Sequence, residues 1–175
     1  MITKDNNLKV MEFFFKYPNK IFHIRELARL TKLSSSGIIK IIKKLKEENL
    51  LISRKTQVIE EIKPNLEGNF LFLKRLYNIY SLNDSGLLAY LKAFYELPKA
   101  IILFGSYSLG TDIEKSDIDI AIITTNREYP DLEKFQNKLA RKINLHLIDI
   151  NKSSKEFKNS LANGIILEGF VELIK

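Results

Sequence analysis

The segment Ile101–Thr124 (IILFGSYSLGTDIEKSDIDIAIIT) constrains the fold more than any other part of the chain. It contains two apolar runs, and apolar runs bounded by turn residues predict buried strands. Gly105 and Ser106 end the first run, and Asp117 and Asp119 lead into the second. Because residues i and i+2 of a strand point to the same face, we expect Asp117 and Asp119 to project side by side.

Two neighbouring carboxylates on a strand predict a cation site. Asp117 and Asp119 would repel each other unless a divalent cation lies between them. Mg²⁺ suits such a site because it takes one or two carboxylates, waters and substrate phosphates. Gly105 and Ser106 suit the part of the site that would contact the phosphates of the substrate. Glycine lets a phosphate approach the backbone, and serine adds hydrogen-bond donors.

These motifs carry a family resemblance. Gly105–Thr111 (GSYSLGT) and Ser116–Ile120 (SDIDI) resemble the nucleotidyltransferase core of the DNA polymerase beta superfamily, above all the minimal nucleotidyltransferases of prokaryotes. The resemblance runs from about Lys99 to Ile150. It implies an α/β core with a small mixed sheet, Mg²⁺ or Mn²⁺ as the cofactor and a nucleoside triphosphate as substrate or ligand. It also implies a metal site at Asp117 and Asp119 and nucleotide contacts from Gly105, Ser106, Gly110 and Ser116. The alternative is a β-hairpin with a solvated acidic end.

The chain departs from the family pattern at two positions. Active members carry a third carboxylate on a later strand, and the matching segment here, 140–149, has Asn144 instead. Strand alternation puts Asn144 and His146 on the face of the carboxylates, whereas Asp149 would need a bulge to reach them. We therefore take Asn144, with Asp117 and Asp119, as a candidate catalytic residue. Leu109 is the second departure, because relatives often have Arg before the matching glycine.

The positive charge of the chain is confined to its first third. The whole sequence has 28 Lys and Arg against 21 Asp and Glu, a net charge of +7. Residues 1–64 contain 14 basic and 7 acidic residues, so they account for all of the excess, and the remainder has 14 of each. Such a concentration of charge is typical of a domain that binds nucleic acid.

The order of elements in this first third indicates a DNA-binding domain. Helical periodicity predicts helices at 7–17 and 24–31, and Ser34 is a good N-cap for a third helix ending near Asn49. Two apolar runs, 50–52 and 58–62, predict a two-stranded wing. Over roughly residues 5–64 this order resembles the winged helix-turn-helix domains of prokaryotic regulators.

The third helix presents serine and lysine on the face opposite its isoleucines, which suits contact with phosphates and base edges in a major groove. The resemblance thus implies DNA contacts from Ser35, Ser36, Lys40, Lys43 and Lys44, and from Arg54 and Lys55 in the wing. We call Lys40, Lys43 and Lys44 the lysine face. The alternative is a small helical domain whose lysines are only solvated, since winged folds also bind proteins. Glu47, on the same side, disfavours a phosphate there.

Residues 65–97 predict two helices, about 67–80 and 85–96, separated by a turn at 83–86. Their aromatic residues are more typical of packing than of base stacking. We interpret this segment as a helical linker and a candidate dimer element. The predicted fold is α+β with three parts, 1–64, 65–97 and 98–175.

Composition excludes several classes of protein. The chain has no cysteine, which excludes disulfides, thiol chemistry and a zinc–thiolate site. It has no apolar run of the length that a membrane span needs, and its first ten residues lack the apolar core of a signal peptide. We therefore expect a cytoplasmic protein with no membrane partner.

Two functions remain open. The first is a nucleotidyltransferase that moves a nucleoside monophosphate to an acceptor hydroxyl, on a protein or a small molecule, and that also binds double-stranded DNA. The second is a DNA-binding transcriptional regulator whose degenerate pocket senses nucleotide without turnover. The intact Gly-Ser and Asp-x-Asp favour catalysis, whereas Leu109 and Asn144 favour sensing. In either case we expect a homodimer.

Overall fold

The computed structural model describes residues 5–56, 59–67, 69–149 and 152–172. The chain divides into two compact units, Met1–Lys74 and Arg75–Lys175. Segment 65–97, which the sequence patterns set apart as a linker, therefore contributes to both units.

The N-terminal unit consists of three helices followed by a two-stranded antiparallel sheet. Its elements are α1 (Asn6–Lys16), α2 (Ile24–Thr31), α3 (Ser35–Glu47), β1 (Leu51–Lys55) and β2 (Glu60–Pro64). Ser34 Oγ accepts a hydrogen bond from the Gly37 amide at 3.1 Å, so the predicted N-cap of the third helix is confirmed. Phe22, before α2, forms an isolated antiparallel bridge with Ile62 of β2, which fixes the sheet against the helices. Part of the predicted wing, residues 57 and 58, lies outside the described residues.

Two helices follow. The first, α4 (Asn69–Ser85), begins in the N-terminal unit and ends in the C-terminal one, and α5 (Leu87–Phe94) follows after one residue. The turn that was predicted at 83–86 is shorter in the structure and consists of Gly86 alone. Gly86 is the one residue between α4 and α5, and its φ is 85°. Ser85 supports the break: its hydroxyl donates to the Leu82 carbonyl at 2.7 Å and accepts from the Leu87 amide at 3.1 Å. The predicted helix start at 67 adjoins residue 68, which lies outside the described residues.

The C-terminal unit is built on a four-stranded mixed sheet. Its remaining elements are β3 (Ala100–Phe104), α6 (Gly105–Leu109), β4 (Ile118–Ile123), α7 (Glu133–Leu139), β5 (Ile143–Ile148), α8 (Lys155–Ala162) and β6 (Ile165–Gly169). The strand order is β5-β4-β3-β6, with β4 and β5 parallel and the other pairs antiparallel. A mixed α+β architecture with a small mixed sheet was predicted.

Alternating side chains of this sheet divide into two apolar layers. One face packs with α4, α5 and α7 and includes Ile101, Ile118 and Ile120, all buried. The other face carries a smaller cluster that includes Ile102 and Ala121 and packs against Leu161 of α8. The sheet is therefore fixed from both sides, and the polar residues of β4 and β5 share the face of the smaller cluster.

Across the residues that the structure describes, no helix combines the length and the apolar character that a bilayer crossing requires.

Candidate functional site

The parallel register of β4 and β5 brings three predicted residues together. Asp119 lies opposite Asn144, and Asp117 directly precedes β4. Asn144 Nδ2 donates to Asp117 Oδ2 at 3.1 Å and to Asp119 Oδ1 at 3.2 Å. Ile118 and Ile120, at alternate positions, are buried on the opposite side of the sheet. We call Asp117, Asp119 and Asn144 the carboxylate–amide cluster; its catalytic and metal-binding roles stay predictions.

The amide in this cluster does what a third carboxylate would not. Asn144 donates a hydrogen bond to each aspartate and adds no charge, so it holds the two carboxylates together without a cation. An aspartate in the same place would add a third negative charge within hydrogen-bonding distance of both.

Gly105 packs directly against the cluster. Its φ is 72°, which L side chains rarely adopt, and a Cβ built on it would lie 2.7 Å from Asp119 Oδ2. The backbone conformation therefore favours glycine at this position, and any side chain there would require the Asp119 carboxylate to move. Gly105 also begins α6, whose first amides have no partner within the helix. The structure thus places Gly105 beside the Asp119 carboxylate at the end of β3, and Ser106 follows it in α6.

The other two predicted nucleotide contacts take part in turns. Gly110 ends α6 with φ of 75° and its amide bonds to the Ser106 carbonyl. Ser116 Oγ accepts from the Ile113 amide at 3.0 Å, and the Ser116 amide donates to the Ile113 carbonyl. The Ser116 hydroxyl is therefore engaged in closing the turn before β4, and nucleotide contacts from Gly110 and Ser116 stay predictions.

A buried polar network that sequence reasoning missed fixes the loop between α6 and β4. Asn78 of α4 donates to the Tyr107 carbonyl at 2.9 Å and to Asp112 Oδ1 at 2.8 Å. Arg141 lies 3.7 Å from Asp112 Oδ2 and also donates to the Glu114 carbonyl. Burial, followed by the nearby Asp112 carboxylate, raises the pKa of the Tyr107 hydroxyl. In the sequence, the only sign of this network is that Asn78, a polar residue, lies in the middle of a predicted helix. That sign does not show which residues Asn78 contacts.

His146 and Asp149 differ in their relation to the cluster. His146 Nε2 lies 3.6 Å from Asp119 Oδ1, as the alternation of β5 predicts. The β4–β5 register runs without a bulge from Ile118 to Ile123, so Asp149, beyond the end of β5, does not join the cluster. Asp149 instead lies 3.7 Å from Lys152 Nζ.

A cavity of about 530 Å³ lies at the other end of these strands and is not the predicted nucleotide pocket. It is lined by the residues that follow β4 and β5, including Asp149, and by Tyr95 and Lys99 before β3. Burial raises the pKa of Tyr95 to about 12, and its hydroxyl donates to the Glu128 carbonyl at 2.9 Å.

The donors of the cluster suit one divalent cation but not two. Within the described ranges, no three His, Cys, Asp or Glu side chains are arranged to hold a metal ion. Asp117 and Asp119 still provide the two carboxylates with which Mg²⁺ binds alongside waters and phosphates. A second cation would find no third carboxylate here, because the side chain beside Asp117 and Asp119 is the uncharged amide of Asn144. Leu109, where relatives often have Arg, has an exposed side chain.

The predicted DNA-contact residues are all exposed. They are Ser35, Ser36, Lys40, Lys43 and Lys44 on α3, and Arg54 and Lys55 on β1. Glu47 and Glu48 lie 3.9 Å and 3.8 Å from the ammonium groups of Lys43 and Lys44, as exposed pairs that contribute little. DNA contact from these residues stays a prediction.

A neighbouring polar group holds α3 against the hairpin. Lys46 Nζ contacts Ser53 Oγ at 2.5 Å and Glu60 Oε1 at 3.4 Å, and Ser53 donates to the same carboxylate at 2.6 Å. The Ser53 hydrogen bond, and then Lys46, lower the pKa of Glu60. Lys46 is thereby directed away from the lysine face.

Comparison with known proteins gave one match. Residues 87–169 match a family model described as Polymerase beta, Nucleotidyltransferase. The matched segment contains the whole carboxylate–amide cluster and Gly105. Comparisons with curated proteins and with solved structures gave no match. The family match supports a nucleotidyltransferase domain in the C-terminal unit, and nucleotidyl transfer as the general chemistry of such a domain.

Proposed function

We propose that the C-terminal unit moves a nucleoside monophosphate from a nucleoside triphosphate to an acceptor hydroxyl, and that the N-terminal unit binds double-stranded DNA. The acceptor oxygen attacks the α-phosphorus, the bond to pyrophosphate breaks, pyrophosphate leaves, and the hydroxyl proton of the acceptor passes to solvent water. Mg²⁺, which Asp117 and Asp119 would hold, would supply positive charge to offset the negative charge that develops on the phosphates. The acceptor is a protein side chain or a small molecule.

The residues of the cluster would divide this work between them. Asp117, just before β4, and Asp119, within β4, would hold the cation with their carboxylates. Gly105 leaves room for a phosphate because it carries no side chain, and Ser106 offers a hydroxyl and an amide as donors. Fixed donors of this kind stabilise the transition state because they need no reorganisation during the reaction.

One observation carries the proposal: two carboxylates joined by an amide and packed against Gly105, inside the segment that matches the nucleotidyltransferase family. A solvated hairpin end would require neither the positive φ of Gly105 nor the close contact with Asp119.

Pyrophosphate release and label transfer test the enzyme. The protein is incubated with Mg²⁺ or Mn²⁺, each of the four labelled nucleoside triphosphates and a lysate as a source of acceptors. We expect release and labelling in the wild type and neither after Asp117→Asn with Asp119→Asn. Asp149→Asn is the matched control, since it removes a carboxylate that lies outside the cluster. Equal activity in the double variant would refute the assignment.

A second candidate function has specific support from Asn144 and Leu109. A site that lacks one carboxylate and an arginine suits binding of a nucleotide better than turnover, and the protein would then regulate transcription in response to nucleotide. Calorimetric titration with a nucleoside triphosphate and Mg²⁺ separates the two functions. Binding without pyrophosphate release from any acceptor source favours the sensor.

The DNA-binding part of the proposal is supported by charge and exposure. The net +7 of the sequence is concentrated in residues 1–64, and the lysine face is exposed on a helix with a satisfied N-cap. The order of three helices and a hairpin suits a winged helix-turn-helix module with α3 as the recognition helix. A homodimer would let two such helices read two half-sites, and a cytoplasmic location accords with both activities.

A further inference from the structure

A segment that we call the joining segment, residues 107–116, connects the two halves of the proposed nucleotidyl-transfer site. It follows Ser106, which would contact phosphate, and it precedes Asp117, which would hold the cation. Within it, the amides of Gly110 and Thr111 both bond to the Ser106 carbonyl. The path of the joining segment therefore determines where Ser106 lies relative to Asp117.

Asn78 of α4 holds the joining segment at two points. Its Nδ2 donates to the Tyr107 carbonyl at 2.9 Å and to Asp112 Oδ1 at 2.8 Å, so both hydrogens of the amide are used. Asn78 and Asp112 are buried, with 2% and 1% of their surface exposed. Hydrogen bonds inside a protein are stronger than exposed ones, because the local dielectric constant is low. One side chain therefore fixes both α6 and the loop that follows it.

Arg141 holds the later part of the joining segment. Its Nη1 donates to the Glu114 carbonyl, and its Nη2 lies 3.7 Å from Asp112 Oδ2. Asp112 is consequently bonded to Asn78 at one oxygen and faces the guanidinium with the other. Such an arrangement is a costly way to stabilise a loop, since well-packed apolar residues of similar volume often give equal or greater stability. What it does provide is a single conformation of the loop.

We propose that Asn78 is a positioning residue for nucleotidyl transfer. Through the Tyr107 carbonyl and Asp112, it fixes the backbone that presents the Ser106 donors to the triphosphate. Asn78 precedes the segment 87–169 that matches the nucleotidyltransferase family, so the match does not include it. This inference rests on the proposed function and extends its site to α4.

Different bonds hold the cation end of the site. Asn144 donates to Asp117 at 3.1 Å and to Asp119 at 3.2 Å, from a strand that pairs directly with β4. Loss of the Asn78 amide should therefore misplace the phosphate contact and leave the cation site nearly unchanged. A displacement of about 1 Å far from the chemistry can lower the rate about a hundredfold.

The test measures the binding of two ligands by the full-length protein. Mn²⁺ alone, and then α,β-methylene analogues of the four nucleoside triphosphates with saturating Mn²⁺, are titrated by calorimetry into wild type, Asn78→Ala and Tyr95→Phe. Tyr95→Phe is the matched control. It removes another buried side chain's bond to a backbone carbonyl, that of Glu128 at 2.9 Å, at the other end of the strands.

We expect Asn78→Ala to weaken binding of the analogue by at least about tenfold and to change the Kd for Mn²⁺ less than about twofold. In the transfer assay its KM for the triphosphate should rise by a larger factor than its kcat falls. Tyr95→Phe should lose stability but bind both ligands as the wild type does. Analogue binding that is unchanged in Asn78→Ala, or equally weakened in Tyr95→Phe, would overturn the proposal.

If Asn78→Ala does not fold, Asp112→Asn decides. This variant keeps the shape of the side chain and an acceptor for Asn78, but removes the charge that faces Arg141. The same selective loss of analogue binding is expected, and wild-type affinity for the analogue would refute the positioning role.

The double variant Asp117→Asn with Asp119→Asn separates this inference from the proposed function. If the double variant loses both ligands while Asn78→Ala binds them as the wild type does, the nucleotidyltransferase site stands and the positioning role is refuted. A wild type that binds neither Mn²⁺ nor any of the analogues refutes both.

Discussion

Replacing Gly105 with alanine tests how closely the backbone at the start of α6 approaches the carboxylates. The new methyl group would have to tolerate φ of 72° and a 2.7 Å contact with Asp119 Oδ2. Gly86→Ala is the matched control. Gly86 has φ of 85°, but its Cβ would meet nothing closer than Phe135 Cε1 at 3.9 Å.

Both substitutions force an alanine into a left-handed backbone conformation, but only Gly105→Ala also creates a steric overlap. A left-handed backbone at alanine costs about 1 to 2 kcal/mol in both variants. Overpacking adds about 1 to 3 kcal/mol at Gly105 alone. With an m value of about 2 kcal/mol/M, the urea midpoint of Gly105→Ala should lie about 0.5 to 1.5 M below that of Gly86→Ala.

The assay is urea unfolding followed by tyrosine fluorescence, with and without Mn²⁺. The chain has no tryptophan, and six of its seven tyrosines lie in residues 75–175, so the signal reports on the C-terminal unit. A cation at a hundredfold excess over its Kd stabilises the wild type by about 2.7 kcal/mol. Gly105→Ala should lose this stabilisation, because the methyl group displaces Asp119, whereas Gly86→Ala should keep it.

One result would refute this reasoning. If both variants lose the same stability and both retain the Mn²⁺-dependent stabilisation, Gly105 does not pack against a metal-binding carboxylate. Loss of the metal effect with equal stability would show instead that Asp119 rotates away to avoid the methyl group, which still supports the contact.

Three further predictions concern both units. Asn144→Asp should lower the free energy of unfolding of the metal-free protein by about 1.5 to 3 kcal/mol, since a donor to two charged groups is lost. The same variant should bind Mn²⁺ more tightly in calorimetric titrations and release pyrophosphate at least as fast as the wild type. Strong turnover by the wild type that collapses in the variant would contradict this prediction. Alanine at all three positions of the lysine face should weaken the binding of duplex DNA. The slope of log binding constant against log salt concentration, measured by fluorescence anisotropy, should fall in magnitude by up to about 2.7. Unchanged binding would mean that the DNA interface lies elsewhere. Because the folded pKa of Glu60 lies below its ordinary 4.5, its stabilisation is present above pH 4.5 and is lost as the pH falls through the folded value. Glu60→Gln should therefore be less stable at pH 7 and lose less stability as the pH falls, measured by circular dichroism, and identical pH profiles would argue against the contacts of Ser53 and Lys46 with Glu60.

Sequence periodicity predicted the parts of the site that depend on a single strand or helix. Asp117, Asp119 and Asn144 share a face because strand alternation has a period of two, and the same rule placed His146 beside Asp119. Ser34 was recognised because an N-cap depends on residues next to each other in the chain. Local rules of this kind need no knowledge of which distant residues meet.

The remaining features depend on partners far apart in sequence. Asn78 meets Tyr107 and Asp112 across 29 and 34 residues, and Arg141 reaches the same loop from after α7. A pattern in one sequence records that each residue is polar but not which residue satisfies it. For the same reason, segment 65–97 was interpreted as a linker, although α5 packs on the sheet of the C-terminal unit.

The pairing of Asp119 with Asn144 across parallel strands also has an evolutionary consequence. Asparagine and aspartate have nearly the same shape, and one base change in a codon converts either into the other. The apolar residues that hold the sheet lie at the alternate positions of β4, so such a change leaves the packing of Ile118 and Ile120 intact. Descendants of one ancestral domain can therefore gain or lose a carboxylate here repeatedly, without refolding the scaffold that carries it.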